Sequence, residues 1–150
     1  MRRAFAAAAV VWAAMLPAAS YVSAHGGGVA SRLFAAAIYA FGGVICHQLP
    51  QRSFALWAAQ LPVCARCTGI YVGAAVAALP MVRLKADPTI VVGSAFSRTF
   101  IRRLLVIAVL PTIATLAFEW TTGETPSNMV RAFAGVPLGV AVAWIVGKVN

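Results

Sequence analysis

The sequence predicts an all-α integral membrane protein, built as a bundle of about four spanning helices with one short interfacial or re-entrant helix. Hydrophobic residues make up 62% of the 150 residues and charged residues only 10%, whereas charged residues form about 25% of soluble domains. The apolar residues also fall in long runs, and a bilayer core about 30 Å thick needs roughly 20 apolar residues per spanning helix. We therefore expect residues 1–150 to form a single membrane domain.

The positive charge of the chain is concentrated at the ends of its apolar runs. The formal net charge is +9, and residues 83–103 contain five Lys or Arg residues against one acidic residue, Asp87. An excess of Lys and Arg marks cytoplasmic loops, so we expect a basic cytoplasmic loop over 83–103. This interpretation accounts for the charge without nucleic acid. The lipid bilayer is the expected partner, and the sequence leaves open whether a second membrane protein or a second copy of the chain also binds.

The first apolar run determines on which side of the membrane the chain begins. Residues 1–24 have a basic start, Met1-Arg2-Arg3, and an apolar core, which is typical of a signal peptide or of a first membrane helix. We favour an uncleaved helix with its N-terminus in the cytoplasm. Ser31 is a suitable cap for a helix over 31–45, which is too short to span comfortably and is expected to lie in the interface or to enter the membrane partway.

The remaining chain divides into a motif region over 31–82, the basic loop and a C-terminal helix pair over 104–150. Residues 46–61 are expected to form a connecting segment between two helices. Pro62 suits the first turn of the second helix, which is expected to run to about Val82. Two further spans are predicted over 104–120 and 129–149. Pairs of small residues four positions apart allow helices to pack closely in lipid. Such pairs occur in the helix over 62–82 and in the last span, so these two helices are expected to touch through Gly69, Gly73, Gly135 and Gly139.

Topology determines the compartment of the cysteines. The helix over 62–82 enters the cytoplasmic loop from its C-terminal end, so its N-terminal end, with Cys64 and Cys67, faces outward. We therefore expect a multi-pass protein of the inner (plasma) membrane whose Cys/His cluster faces the periplasm or the outside.

The cysteines favour metal binding. Cys64 and Cys67 form a C-x-x-C pair whose sulfurs share one helix face, in a first turn where free N–H groups stabilise thiolates. Cys46 and His47 add a third sulfur and an imidazole. Three thiolates and one imidazole make a complete tetrahedral zinc set, and thiolates also suit cuprous ion. We predict a metal site on Cys46, His47, Cys64 and Cys67, with zinc or copper as its cofactor.

Two other interpretations stay open. Cys64 and Cys67 are also suited to a membrane thiol–disulfide oxidoreductase, with Cys46 as a resolving thiol, and an outward location favours oxidation. Alternatively, the cluster only fixes the shape of a non-catalytic membrane subunit. The sequence names no reaction, so whether the protein is an enzyme is left open.

Four charged residues support the candidate site. Arg52 and Arg66 are either snorkelling interfacial residues or a pair that binds an anion or stabilises a thiolate. Glu119, near a helix end, is either an exposed cap or the partner of Arg131, because a charge at membrane depth usually needs a partner.

The cysteine motifs resemble those of the small bacterial membrane proteins grouped as domain of unknown function 2085. The resemblance covers roughly residues 30–139 and includes Tyr71, which we add to the supporting residues. It also includes Glu119, where that family commonly has Asp. The resemblance implies a polytopic membrane protein and brings no established reaction. It is carried by Cys46-His47-Gln48-x-Pro50-x-Arg52-Ser53, by Pro62-x-Cys64-x-Arg66-Cys67-x-Gly69-x-Tyr71-x-Gly73, and by Glu119-Trp120, Ser127-Asn128, Arg131 and Gly135.

Overall fold

The computed structural model describes residues 2–83 and 98–149. This part of the chain is almost entirely helical, which confirms the predicted all-α class. Between α2 and α3 lie only a short 3-10 turn, Pro50–Arg52, and a two-stranded antiparallel hairpin of β1 (Ala55–Leu56) and β2 (Ala59–Gln60). The helices are α1 (Arg2–His25), α2 (Val29–Ile45), α3 (Ala65–Arg83), α4 (Arg98–Thr122) and α5 (Asn128–Val149).

In the described part of the chain, three helices are long and apolar enough to cross a membrane, namely α1, α4 and α5. The described apolar parts of α2 and α3 are shorter. The 19 residues of α3 nevertheless extend about 28 Å at 1.5 Å per residue, close to the thickness of a bilayer core. The structure is that of a membrane helical bundle. Helix α3 is shorter than the three long helices and is the candidate for a fourth span.

Helix α2 folds back along the second half of α1. Tyr39 lies beside Ser20, and the ring of Phe41 packs edge-on against Trp12 with centroids 4.9 Å apart. Helix α3 continues from this level, because Tyr71 contacts the same Trp12 ring with centroids 5.9 Å apart. The two helices thus cover successive parts of α1, which fits the expected partway insertion of α2.

Helices α3 and α5 touch through both predicted glycine pairs. A Cβ atom on Gly69 or Gly73 would collide with the carbonyl oxygen of Ala132 or Val136 on α5. A Cβ atom on Gly135 or Gly139 would collide with carbonyl oxygens of α3, those of Arg66 and Ile70. The glycines therefore let the two backbones meet directly, as small residues do in membrane helix pairs.

Three predicted element boundaries are wrong. Ser31 is not the N-cap of α2: Gly28 has that position, and the Ser31 hydroxyl accepts the Gly28 N–H at 3.1 Å. Helix α3 starts at Ala65 rather than Pro62, since the first helical bond is donated by the Thr68 N–H to the Cys64 carbonyl at 2.9 Å. Residues 98–103 of the predicted basic loop are the first turns of α4, and residues 84–97 of that loop lie outside the described residues.

The hairpin lies inside the segment expected to be a simple connection. Its turn residues, Trp57 and Ala58, have φ angles of 52° and 61°. Two successive positive φ values are typical of a type I′ hairpin turn, which usually has Asn-Gly or Gly-Gly there. Tryptophan and alanine gave no sign of such a turn in the sequence. The Trp57 ring packs edge-on against Tyr21, with centroids 5.2 Å apart, so the hairpin is held at the C-terminal end of α1.

We predict that Gly69→Ala weakens the bundle. The added methyl group must displace the Ala132 carbonyl, and overpacking of this kind costs about 1–3 kcal/mol. Because the clash is with backbone atoms of Ala132 and not with a flexible side chain, we expect the upper part of this range, which exceeds the gain of about 1 kcal/mol from the better helix propensity of alanine. The measurement is the melting temperature in detergent. Gly27→Ala is the matched control, since its Cβ has nothing within 4 Å, and an equal loss in both variants would contradict the predicted contact.

Candidate metal centre

Three thiols meet where α2 ends and α3 begins. The Sγ atoms of Cys46, Cys64 and Cys67 all lie within 4.8 Å of one another, and all three cysteines are free. Zinc–sulfur bonds of about 2.3 Å in a tetrahedral site place sulfurs about 3.8 Å apart. Displacements of an ångström or less therefore bring the three sulfurs to metal-binding distances.

Backbone and amide hydrogen bonds hold the two halves of the cluster together. The Cys64 N–H donates to the Cys46 sulfur at 3.1 Å. The Gln48 side-chain amide donates to the carbonyl oxygens of Tyr39 and Pro62, each at 2.7 Å. Gln48 thus links α2 to the segment before α3, and this link fixes Cys46 beside Cys64.

An apolar shell surrounds the thiols. Cys46 belongs to a buried cluster with Leu16 and Val63, and Trp12 and Tyr71 pack against it. The predicted supporting residue Tyr71 therefore lies in the wall of the thiol site. Such a shell limits water and lowers the local dielectric constant, which strengthens the interactions of charged groups with one another.

The surroundings of Cys64 favour its thiolate. A hydrogen bond from the Cys67 thiol lowers the pKa of Cys64 well below its ordinary value, and burial opposes this effect. Hydrogen bonds from the Cys67 and Arg66 backbone N–H groups and from the Cys46 thiol lower this pKa further. Because the thiolate is the reactive and metal-binding form, Cys64 is prepared for ligation or exchange at neutral pH.

His47 does not join the three sulfurs. Cys46 has an extended backbone, with φ −149° and ψ 140°, and successive side chains of an extended chain point to opposite sides. Cys46 is therefore buried while His47 is exposed, and the group of ligand atoms within 4.8 Å contains the three cysteines alone. Of the four predicted ligands, the structure brings three together.

The charged residues converge on one carboxylate next to the thiol site. Arg131 Nε lies 3.0 Å from Glu119 Oε1, Arg66 Nη2 lies 3.2 Å from the same oxygen, and Arg52 Nη2 lies 3.4 Å from Oε2. Glu119 and Arg131 are buried, with side chains only 3% and 2% exposed. The predicted Glu119–Arg131 pair is confirmed, and the alternative of an exposed cap is wrong.

The guanidinium of Arg66 is occupied on the α4 side of α3. It donates to Thr115 Oγ1 at 3.0 Å as well as to Glu119. Arg66 affects the cysteines through its backbone N–H, which donates a hydrogen bond to Cys64 and lowers the pKa of this thiol. Arg52 and Arg66 both pair with the Glu119 carboxylate. They therefore connect the 3-10 turn and α3 to α4.

Asn128 links two segments at this end of the bundle, and the sequence did not predict this role. The Asn128 amide donates to the Ser53 carbonyl oxygen at 2.9 Å, which ties the segment after the 3-10 turn to the start of α5. Beside it, the Ser127 hydroxyl accepts the Val130 N–H at 3.3 Å and caps α5. A bond between residues 75 positions apart leaves no local pattern in the sequence.

Comparison with known proteins identifies a family that matches most of the chain. Residues 46–145 match the model of a family described as a predicted membrane protein, DUF2085. An uncharacterized protein of Methanothermobacter thermautotrophicus is 35% identical over 100 residues, which cover 66% of this chain and 81% of that protein. No solved structure matches the chain.

A second archaeal relative matches over a shorter stretch of the chain. This uncharacterized protein of Methanocaldococcus jannaschii is 56% identical over 36 residues, which cover 24% of this chain and 23% of that protein. The chain thus matches less than a quarter of this relative's length. Both relatives are archaeal, so they do not support the expectation of a bacterial family.

We predict that Cys64 is alkylated first in the metal-free, reduced protein. Its thiolate persists at lower pH than that of an ordinary cysteine, because the pKa is lowered. Iodoacetamide labelling across roughly pH 5–8, which lies below the ordinary thiol pKa of about 8.5, can be mapped site by site. Trypsin cleaves after Arg32, Arg52, Arg66 and Arg83 and so leaves each cysteine on its own peptide.

Cys67→Ala should shift the Cys64 labelling profile to higher pH, since it removes the main hydrogen-bond donor. His47→Ala is the control and should leave the profile unchanged. Faster labelling of Cys46 or Cys67 than of Cys64 at acidic pH would contradict this assignment.

Proposed function

Because the chain belongs to the DUF2085 family of predicted membrane proteins, we propose that it is a multi-pass membrane protein that binds zinc or copper through its cysteine cluster. The observation that carries the proposal is the convergence of the Cys46, Cys64 and Cys67 sulfurs within 4.8 Å. These residues come from two segments separated by a hairpin, so their meeting is a product of the fold and not of sequence adjacency.

The chemistry of the cluster fits a soft or borderline metal. Thiolate ligands select zinc and cuprous ion over hard cations such as magnesium. The Cys64 N–H on the Cys46 sulfur resembles the outer hydrogen bonds that orient ligands in metal sites. In a tetrahedral site the fourth position goes to His47 after a backbone rotation, or to water or a substrate. Three protein ligands with one open position are typical of catalytic zinc.

Metal content tests the proposal. Purified wild-type protein, expressed with added zinc or copper, should contain about one metal ion per chain, and each of Cys46→Ser, Cys64→Ser and Cys67→Ser should lose it, because affinity depends on the complete ligand set. His25→Ala is the matched control and should retain the metal. His47→Ala distinguishes a three-sulfur site, which keeps the metal, from the four-ligand set. A metal-free wild type, or metal retained in the cysteine variants, would contradict the proposal.

A second candidate is thiol–disulfide exchange, favoured by the Cys67 sulfur within 4.8 Å of the Cys64 sulfur and by the lowered pKa of Cys64. In this reaction the Cys64 thiolate attacks a substrate disulfide, and a mixed disulfide forms as one substrate thiolate leaves. Cys67 then attacks Cys64, so that the substrate is released as a dithiol and the Cys64–Cys67 disulfide remains. A metal-free protein with a reversible Cys64–Cys67 disulfide would favour this candidate. A protein with neither property would favour the structural role.

We place the cluster on the outer side of the plasma membrane. The first turns of α1 and α4 carry basic residues, Arg2, Arg3, Arg102 and Arg103, and this end of the bundle is expected in the cytoplasm. The cysteines lie away from this end: they pack against Trp12 and Leu16 of α1, and Arg66 between them contacts Thr115 and Glu119 in the second half of α4. An impermeant maleimide applied to reduced intact cells should therefore label Cys64, mapped on its tryptic peptide. Labelling only after lysis, against a cytoplasmic single-cysteine reference protein, would overturn the orientation.

A further inference from the structure

We propose that the arginine cluster, which we define as Arg52, Arg66 and Arg131 around Glu119, is a binding site for a phosphate group at the outer end of the bundle. This site is separate from the thiol cluster and does not depend on metal binding. The proposal is based on the charge balance of the cluster, its unpaired donors and its one exposed arginine.

The cluster has more positive than negative charge. Three guanidinium groups lie within 3.4 Å of a single carboxylate, which gives an excess of two positive charges if all four groups are ionised. The Glu119 and Arg131 side chains are almost completely buried. Burying an uncompensated charge is strongly unfavourable, and at membrane depth charges almost always face a partner or a water-filled cavity. A bound anion would balance the excess charge.

Several buried donors of the cluster lack hydrogen-bond partners, and so does one acceptor, Glu119 Oε2, which forms an ion pair with Arg52 at 3.4 Å. Arg131 uses Nε for Glu119, while its Nη1 and Nη2 atoms are buried with no hydrogen-bond partner in the described part of the chain. The Nε atoms of Arg66 and Arg52 are also buried without a hydrogen-bond partner among the described residues. Buried polar groups in native proteins are nearly always paired. The unpaired donors of Arg131 form one edge of a guanidinium fork, and this geometry matches two oxygens of one anion.

The position of Arg52 provides the route to this buried edge. Its side chain is 39% exposed, compared with 16% for Arg66 and 2% for Arg131. Arg52 contacts only the second carboxylate oxygen, at 3.4 Å, so it can move away from Glu119 more easily than the other two. The cluster also lies beside Asn128, the first residue of α5, where the helix dipole favours negative charge.

The chemistry of the donors selects the ligand class. Planar guanidinium forks bind phosphate or carboxylate oxygens in pairs, and an excess of two positive charges favours a group that carries up to two negative charges. A phosphate group meets both conditions. It can belong to an anionic lipid headgroup in the outer leaflet or to a soluble phosphate, and these two sources share the same contacts with the arginines.

Binding to the intact, purified protein tests this site. The first probe is inorganic phosphate, titrated by calorimetry against sodium chloride at equal ionic strength, which corrects for general screening. The second is the melting temperature in phosphatidylcholine nanodiscs with and without phosphatidylglycerol. A response to inorganic phosphate identifies a soluble ligand. A response to phosphatidylglycerol alone identifies a lipid headgroup, and both outcomes support the proposal.

Variants connect the binding to the cluster. Arg52→Gln should weaken binding of the responding probe by at least about tenfold, since a charged hydrogen-bond donor is lost. Arg32→Gln is the matched control, because Arg32 is an exposed arginine near the start of α2, and it should bind like the wild type. Glu119→Gln should bind phosphate several-fold more tightly despite a lower melting temperature, since it removes the carboxylate that competes for the same guanidinium groups. A purely structural role of the cluster would not produce this increase.

Three results would overturn the proposal. The first is the absence of any response to either probe by the wild-type protein. The second is equal weakening in Arg52→Gln and Arg32→Gln, which would indicate general charge attraction. The third is weaker phosphate binding in Glu119→Gln when this variant remains folded in detergent.

Discussion

The structure depends on one buried carboxylate that three arginines share. Glu119 joins α4 to α5 through Arg131, to α3 through Arg66 and to the 3-10 turn through Arg52. Four segments that are distant in sequence are therefore fixed at the same end of the bundle. Removing one partner of a buried ion pair costs about 3–5 kcal/mol because the other charge is left unpaired. The ion cluster is thus a strong constraint on how these segments can be arranged.

This constraint also orients the thiols. Arg66 lies between Cys64 and Cys67, and its guanidinium extends toward α4. Because neighbouring residues of a helix project in different directions, fixing Arg66 on that side leaves the two cysteines facing α1 and Cys46. The glycine contacts between α3 and α5 hold the same orientation over the following turns. The ion cluster and the glycine pairs together present the C-x-x-C pair to the third sulfur.

The sequence predicted those features that have a local or periodic pattern. Membrane character, the glycine contact of α3 with α5 and the Glu119–Arg131 pair follow from runs of apolar residues, from four-residue spacing and from the rule that buried charges need partners. The convergence of Arg52 and Arg66 on Glu119 was not predicted, since it depends on how the helices pack. The Trp57–Ala58 turn was missed because neither residue is typical of positive φ angles. His47 was placed among the ligands because it follows Cys46, but the extended backbone there turns it outward.

We propose that Cys46, Cys64 and Cys67 bind one metal ion together. The most direct measurement is X-ray absorption at the metal edge of the purified protein in detergent. We expect a first shell with three sulfur atoms at about 2.3 Å for zinc, and too little bound metal in Cys46→Ser, the ligand farthest from the others in sequence, to give this spectrum. A first shell of nitrogen and oxygen alone, or a spectrum unchanged by Cys46→Ser, would contradict it.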